Sequence, residues 1–176
     1  LFNNKNINFI MHNYFPVPKN DFIVNIASTN KKIRNKSLDQ LKRSIDLSQK
    51  LNAKILTIHP GFLTDPGGAN LFKDNYDFNW NSRMLKSVSY NKSFDLMVQS
   101  IEDLIKYKHR EFPKIVIETQ GSYYNYQHLM MQNLDECKYF FKNINKKDVK
   151  LSVNIGHLNL ASKVYQFDKI PECDLE

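Results

Sequence analysis

The sequence predicts an α/β fold organised around a parallel sheet. Three observations predict it. Four short apolar runs, each read as a strand, alternate with amphipathic helical stretches, the pattern of successive βα units. The runs are continuously apolar, as expected of strands covered on both faces. Each of them runs into a polar residue, in order His12, His59, Glu118 and Asn154.

The first strand is read over residues 7–12, INFIMH. A polar, aromatic connection, NYFPVPKNDFIVNIASTN, leads to a helix predicted over 37–51. Ser37 and Gln40 form a capping box at its start. Leu38, Leu41, Ile45 and Leu51 share one helical face, and Asn52 suits the left-handed stop. The second strand, KILTIH, ends at His59. A loop rich in Gly, Asn, Asp and aromatics runs from Phe62 to about Lys86. The next helix is strongest over SFDLMVQSIEDLIKY, residues 93–107. Its stripe of Phe94, Met97, Val98, Ile101, Leu104 and Ile105 is read as core.

The third strand, KIVIE, ends at Glu118, and the loop TQGSYYNYQH follows. A helix opens at Asn133 with Glu136 closing a second capping box, and Leu134, Cys137, Phe141 and Ile144 are expected to face inward. The fourth strand, VKLSVN, ends at Asn154, and IGHLNLASKVY begins a turn and a further helix. No repeat beyond this βα rhythm and no low-complexity linker is visible, so residues 1–176 are read as a single domain.

The bulk composition narrows the class. A chain of 176 residues with 41% apolar and 24% charged residues is ordinary for a globular protein with a real core. No apolar run approaches the ~18 residues of a membrane helix, and no basic-then-apolar leader opens the chain. The first residue is Leu1, so this start is not read as the natural one. Cys137 and Cys173 lack metal-motif spacing and give no disulfide framework, which predicts a reducing, cytoplasmic setting. The net charge of +7 is carried overwhelmingly by Lys, with only Arg34, Arg43, Arg83 and Arg110 as arginines, and Asn is as abundant as Lys. That mix points to compositional bias rather than to nucleic-acid binding, which favours the guanidinium fork.

The strand ends carry the chemistry. Right-handed crossovers bring the carboxyl ends of successive parallel strands to one rim, where ligands bind in barrels and open sheets alike. One polar strand end is ordinarily a solvated terminus. Two histidines and a glutamate at equivalent ends of three strands predict a metal or polar site, since imidazole and carboxylate suit zinc, manganese and similar ions. His157, past a glycine from Asn154, is placed to curl back over the rim; the alternative is a loop histidine bonding backbone. His109 and His128 are read as surface residues.

Four motifs occur in order between about Ile7 and Ala161. They are HNYF (His12 onward) followed by NIAS (Asn25 to Ser28), Arg34 and Lys36–Ser37; HPG at His59 to Gly61; IETQG at Ile117 to Gly121; and NIGHLNLA at Asn154 to Ala161. Together they resemble the xylose-isomerase-like TIM-barrel superfamily, which includes sugar and sugar-phosphate isomerases or epimerases and the endonuclease-IV-type AP endonucleases. The resemblance implies a (β/α)₈ barrel with a divalent metal (zinc, manganese, cobalt or magnesium) on the strand-end rim. Glu118 would be a ligand; in the endonuclease branch His12 and His59 would be ligands too, and Asn154 is the remaining candidate metal position. In the isomerase branch Glu118 doubles as an acid/base and His157 touches substrate. Tyr14, Phe15, Asn25 and Trp80 are the candidate substrate-binding residues.

Two departures from the family pattern matter. Asn154 stands where the family usually has Asp; an amide oxygen can coordinate a cation but brings no charge and takes no proton. A complete barrel takes ~250 residues, and about four βα units are present. The chain is therefore expected to be a partial barrel, part of a longer polypeptide or completed by a partner such as a second copy. The loops FPVPKNDFIV and FLTDPGGANLFKDNYDFNWNSRML also look enlarged, and with Tyr14 they carry Phe15, Phe62, Phe72, Tyr76, Phe78 and Trp80. They read either as a lid that stacks on a sugar ring or base, or as a self-packed surface or oligomer contact.

Three functions follow. The leading one is a metal-dependent isomerase or epimerase of a sugar or sugar phosphate, working by proton transfer next to a carbonyl. The second is a zinc-dependent AP endonuclease acting on abasic DNA, with Tyr14 or Phe15 as a wedge. The third is a repurposed barrel that binds a sugar or partner without catalysis. No membrane association is expected.

Overall fold

Strand and helix alternate along the described residues. The computed structural model describes residues 7–68, 78–145 and 147–166. Strands β1 (Ile10–His12), β2 (Ile55–Ile58), β3 (Lys114–Glu118) and β4 (Val149–Ser152) alternate with helices α1 (Lys31–Lys50), α2 (Tyr90–Tyr107), α3 (Leu134–Asn143) and α4 (Ile155–Tyr165). The strands lie in the order β1-β2-β3-β4, and every neighbouring pair is parallel. Short 3₁₀ turns at Met84–Ser87 and Tyr126–His128 interrupt the loops after β2 and β3.

The two-residue period of a strand divides its side chains between two faces. Met11, Leu56, Ile58, Ile115, Ile117 and Val149 take one face, all buried. They form a single cluster with Leu41 and Ile45 of α1, Phe94, Met97, Ile101 and Leu104 of α2, and Phe140 of α3. Each such side chain contributes roughly 1.5–3 kcal/mol when fully buried, so this layer holds the helices on the sheet. The opposite face carries His12, in register with Thr57 and Val116, and Glu118, two residues beyond Val116. The sheet therefore keeps its apolar side for the helices and turns its candidate ligands the other way.

Several boundaries differ from the sequence reading. α1 begins at Lys31, with Asn30 as its cap accepting from Lys32 N. Ser37 lies inside the helix, where its hydroxyl donates to Ile33 O and accepts from Asn25 N. Asn caps as well as Ser, and the KKIRNK turn has too little apolar periodicity to betray the earlier start. The other end is as expected: Asn52 has φ 52°. Asn52 N bonds Gln49 O and Ala53 N bonds Ser48 O, which is the Schellman pair. In α3, Asn133 caps as predicted and accepts from Glu136 N. Leu134 is exposed, however, and Phe140 is fully buried. Two apolar rows overlap on that helix, and the core takes Cys137, Phe140 and Ile144. β1 is shorter than read: it begins at Ile10, and Ile7 ahead of it is exposed. Cys173, Phe72 and Tyr76 lie outside the described residues.

Candidate metal centre and adjoining cavity

Parallel register and side-chain alternation bring the ends of β1, β2 and β3 together. His12 closes β1, His59 follows β2 directly, and Glu118 closes β3. His12 Nε2 lies 3.7 Å from Glu118 Oε2, and His59 Nε2 lies 3.8 Å from the same oxygen. The two imidazoles meet edge-on with centroids 5.0 Å apart. One ligand atom from each of the three residues lies within 4.8 Å of the other two.

These separations are too long for hydrogen bonds. They resemble the spacing of two ligands on one ion, about 3.3 Å for tetrahedral zinc at bond lengths near 2.0–2.1 Å. The electrostatics fit as well. Burial pushes the His59 imidazole down to about 4, with His12 acting in the same direction and Glu118 opposing. His59 is therefore neutral at pH 7 and carries the lone pair a metal requires. Two imidazoles and a carboxylate suit zinc, manganese or cobalt better than magnesium, which prefers all-oxygen ligands.

Asn154 is brought to this centre in a role beyond the one its strand end suggested. It caps α4: its Oδ1 accepts from His157 N at 3.1 Å. A backbone N–H only donates, so Oδ1 is fixed there and Nδ2 faces Glu118 Oε1, 2.7 Å away. Both polar atoms have protein partners, so Asn154 orients Glu118 and caps α4, and its Oδ1 keeps one lone pair for the ligand role expected of it. Its own N–H donates to Thr119 Oγ1. His157 Nδ1 lies 2.7 Å from Thr119 O and 3.7 Å from Glu118 Oε1. Because a carbonyl only accepts, Nδ1 carries the hydrogen, and Nε2 is the acceptor when the ring is neutral. Both sequence readings of His157, rim residue and backbone-bonding residue, describe the same arrangement.

Two motif glycines have steric reasons. A Cβ on Gly121 would stand 1.8 Å from His157 O, so the loop after β3 touches the first turn of α4 only because residue 121 has no side chain. Gly61, at φ +100°, would place a Cβ 2.7 Å from Asn25 Oδ1 and 2.8 Å from Ala27 N. The close approach lets Asn25 brace the rim. Asn25 Nδ2 donates to Phe62 O and Asp65 Oδ1, and Oδ1 accepts from Phe62 N and Ala27 N. That is the full capacity of an amide, and Asn25 is completely buried. The expectation that Asn25 binds substrate is thus corrected: it holds the loops. Asp65 completes the brace by accepting from Ser28 Oγ, a partnership that no sequence signal announced.

A cavity of about 370 Å³ opens beside the ligand atoms, lined by His59, His157, Tyr14, Phe62, Trp80 and Gln120 among others. Trp80 thus borders the space that the sequence assigned to substrate. Tyr14 does so too, its hydroxyl accepting from Val24 N. Phe15 is exposed and does not line this cavity. His128 is buried rather than superficial, bonded to Thr64 Oγ1 at 2.6 Å and stacked on Trp80. His109 is at the surface as read.

The comparisons agree with this architecture. The family model for the xylose isomerase-like TIM barrel matches residues 1–174. The chain belongs to that family. Among curated proteins, the uncharacterized protein MJ1614 of Methanocaldococcus jannaschii is 27% identical over 149 residues, covering 85% of this chain and 48% of that protein. The chain therefore spans about half the length of that relative. Among solved structures, a D-tagatose 3-epimerase-like protein superposes with TM-score 0.60 at 17% identity, covering 88% of this chain and 47% of the other. D-psicose 3-epimerase with D-tagatose from Clostridium cellulolyticum H10 gives 0.57 at 15%, covering 83% and 42%. The 3-keto-D-glucoside 4-epimerase YcjR from E. coli gives 0.56 at 13%, covering 83% and 52%. At these identities the likeness is one of fold. The chain is a partial xylose isomerase-like barrel of four parallel βα units. Among the described residues no helix is long and apolar enough to cross a membrane.

Proposed function

We propose that this chain supplies the metal-holding part of an isomerase or epimerase acting on a sugar or sugar phosphate. The observation that carries the reading is the approach of His12 Nε2 and His59 Nε2 to Glu118 Oε2 on the strand-end rim. The epimerase names of the solved relatives support the substrate class.

When bound, a divalent ion supplies polarisation of a carbonyl, which acidifies the neighbouring C–H. His12, His59 and Glu118 Oε2 would hold it. Glu118 also exchanges a proton with the substrate, its Oε1 steadied by Asn154. His157, oriented by Thr119 O, accepts a hydrogen bond from a substrate hydroxyl through Nε2. The opposite proton transfer falls to a carboxylate outside the described residues.

One feature favours the second reading, an AP endonuclease acting on abasic DNA: two imidazoles flank a single carboxylate, the ligand set expected of that branch. Asn154 weighs against it, because an amide adds no charge to a multi-zinc cluster. The metal content of the full-length protein separates the readings. One exchangeable manganese, cobalt or magnesium ion supports the isomerase, and three tightly held zinc ions support the nuclease. A protein that takes up no divalent metal leaves the third reading, a barrel that binds a sugar or partner without turnover, and ends the metalloenzyme proposal.

A further inference from the structure

His128 has no part in the proposed chemistry, yet it is among the most constrained side chains near the site. It is buried, and its partner Thr64 is buried with it. Their side chains bond at 2.6 Å across the loops after β2 and β3. The same two loops are zipped by backbone. Leu63 N donates to His128 O at 2.8 Å, and Phe62 bridges Leu129 in antiparallel fashion. The imidazole is therefore held in place and in plane from one side.

On its other side lies Trp80. The two rings stack with centroids 4.6 Å apart and planes 21° from parallel. Phe62 and Phe78 meet the indole edge-on at 5.3 and 5.7 Å. Edge-on and offset contacts are the favoured geometries of aromatic rings, so the indole is fixed in orientation. Trp80, Phe62 and Phe78 border the same cavity as His59 and His157.

We infer that His128, anchored by Thr64, is a positioning residue that sets the Trp80 indole as an apolar wall of the cavity that His59 and His157 also line. The ligand class this wall suits is a single monosaccharide. A sugar offers hydroxyls to polar groups on one side and a face of C–H bonds to an aromatic ring on the other. The cavity, about 370 Å³, lies within the ~300–1,000 Å³ typical of small-molecule sites, enough room for one sugar ring. The inference rests on the sugar reading above and adds the residue that orients the wall.

The test is calorimetric titration of the manganese-loaded full-length protein with D-fructose and D-tagatose. His128→Gln keeps a polar partner for Thr64 and removes the stacked ring; His128→Phe keeps a flat ring and removes the bond. His128→Gln is expected to weaken sugar binding about tenfold, the loss of one good stacking contact. His128→Phe is expected to stay within about threefold of wild type, and manganese content should be the same in all three. Any turnover should show the change in KM rather than kcat. Sugar binding that survives His128→Gln unchanged overturns the positioning role alone. Wild-type protein that binds neither sugar overturns the sugar reading and this inference with it. Should His128→Gln fail to fold, Trp80→Leu replaces it, and wild-type affinity in that variant is equally fatal.

Discussion

The Asn154 amide donates a 2.7 Å hydrogen bond to Glu118 Oε1 while its oxygen caps α4. This one side chain divides the glutamate. Oε1 is tied to a donor, and Oε2 is left facing two imidazole nitrogens.

Asn154→Asp keeps the cap, since Asp and Asn cap alike. It also places a second carboxylate oxygen against Glu118 Oε1, where two like charges need a proton or a cation between them. The metal-free variant should lose roughly 1–3 kcal/mol of stability. Zinc or manganese should raise its melting temperature more than that of wild type. Equal metal-induced shifts in the two proteins would remove the charge argument.

Glu118→Gln removes the only carboxylate among the three candidate ligands. Ion affinity should fall beyond the roughly 10–100-fold typical of losing a partner to a ligand, and turnover should vanish. Ion content after dialysis, measured beside wild type, is the check. A variant that retains both metal and activity takes Glu118 out of the site.

Gly121→Ala should be more damaging than an ordinary loop substitution. Its Cβ would stand 1.8 Å from His157 O and 2.6 Å from His157 C. The first turn of α4 must then move, at a cost of about 1–3 kcal/mol, and His157 loses its bond to Thr119 O. Thermal melts give the first effect, and the His157 imidazole resonances in NMR give the second. An unshifted resonance contradicts the packing described.

Glu136 yields a pH prediction of unusual sign. Burial raises its carboxyl above the usual range, although backbone N–H groups of Gln132, Asn133 and Met131 and the Tyr90 side chain pull it down. A group whose folded-state pKa lies above its unfolded value binds its proton more tightly in the fold. Its favourable contribution is complete below the unfolded value, about 4.3. That contribution is lost as pH rises through the raised value. Glu136→Gln should therefore gain stability relative to wild type between pH 4 and pH 7. Melts of both proteins across that range measure it, and a constant difference refutes it.

Much of this was legible in the sequence because the strands and the α2 stripe carry strong periodic signals. KIVIE becomes β3 over the same residues, and its terminal Glu118 falls beside His12 and His59. What escaped were arrangements set by sequence-distant partners. Asn25 looked like a rim residue able to meet a substrate, yet its four bonds run to Ala27, Phe62 and Asp65. His128 looked superficial because YQH sits among turn-forming polar residues; its contacts with Thr64 and Trp80, both far away along the chain, are what the local sequence does not announce. Asn154 had the chemistry of a ligand, and the start of α4 claimed it as a cap.

The Asn25 brace has an evolutionary corollary. It anchors the segment after β2 at Phe62 and Asp65, just beyond His59 and ahead of the rest of the long loop. Insertions, deletions or swaps downstream of Asp65 can then reshape which molecule is admitted without dislodging the imidazole. Selection could retune preference there while the chemistry stays put.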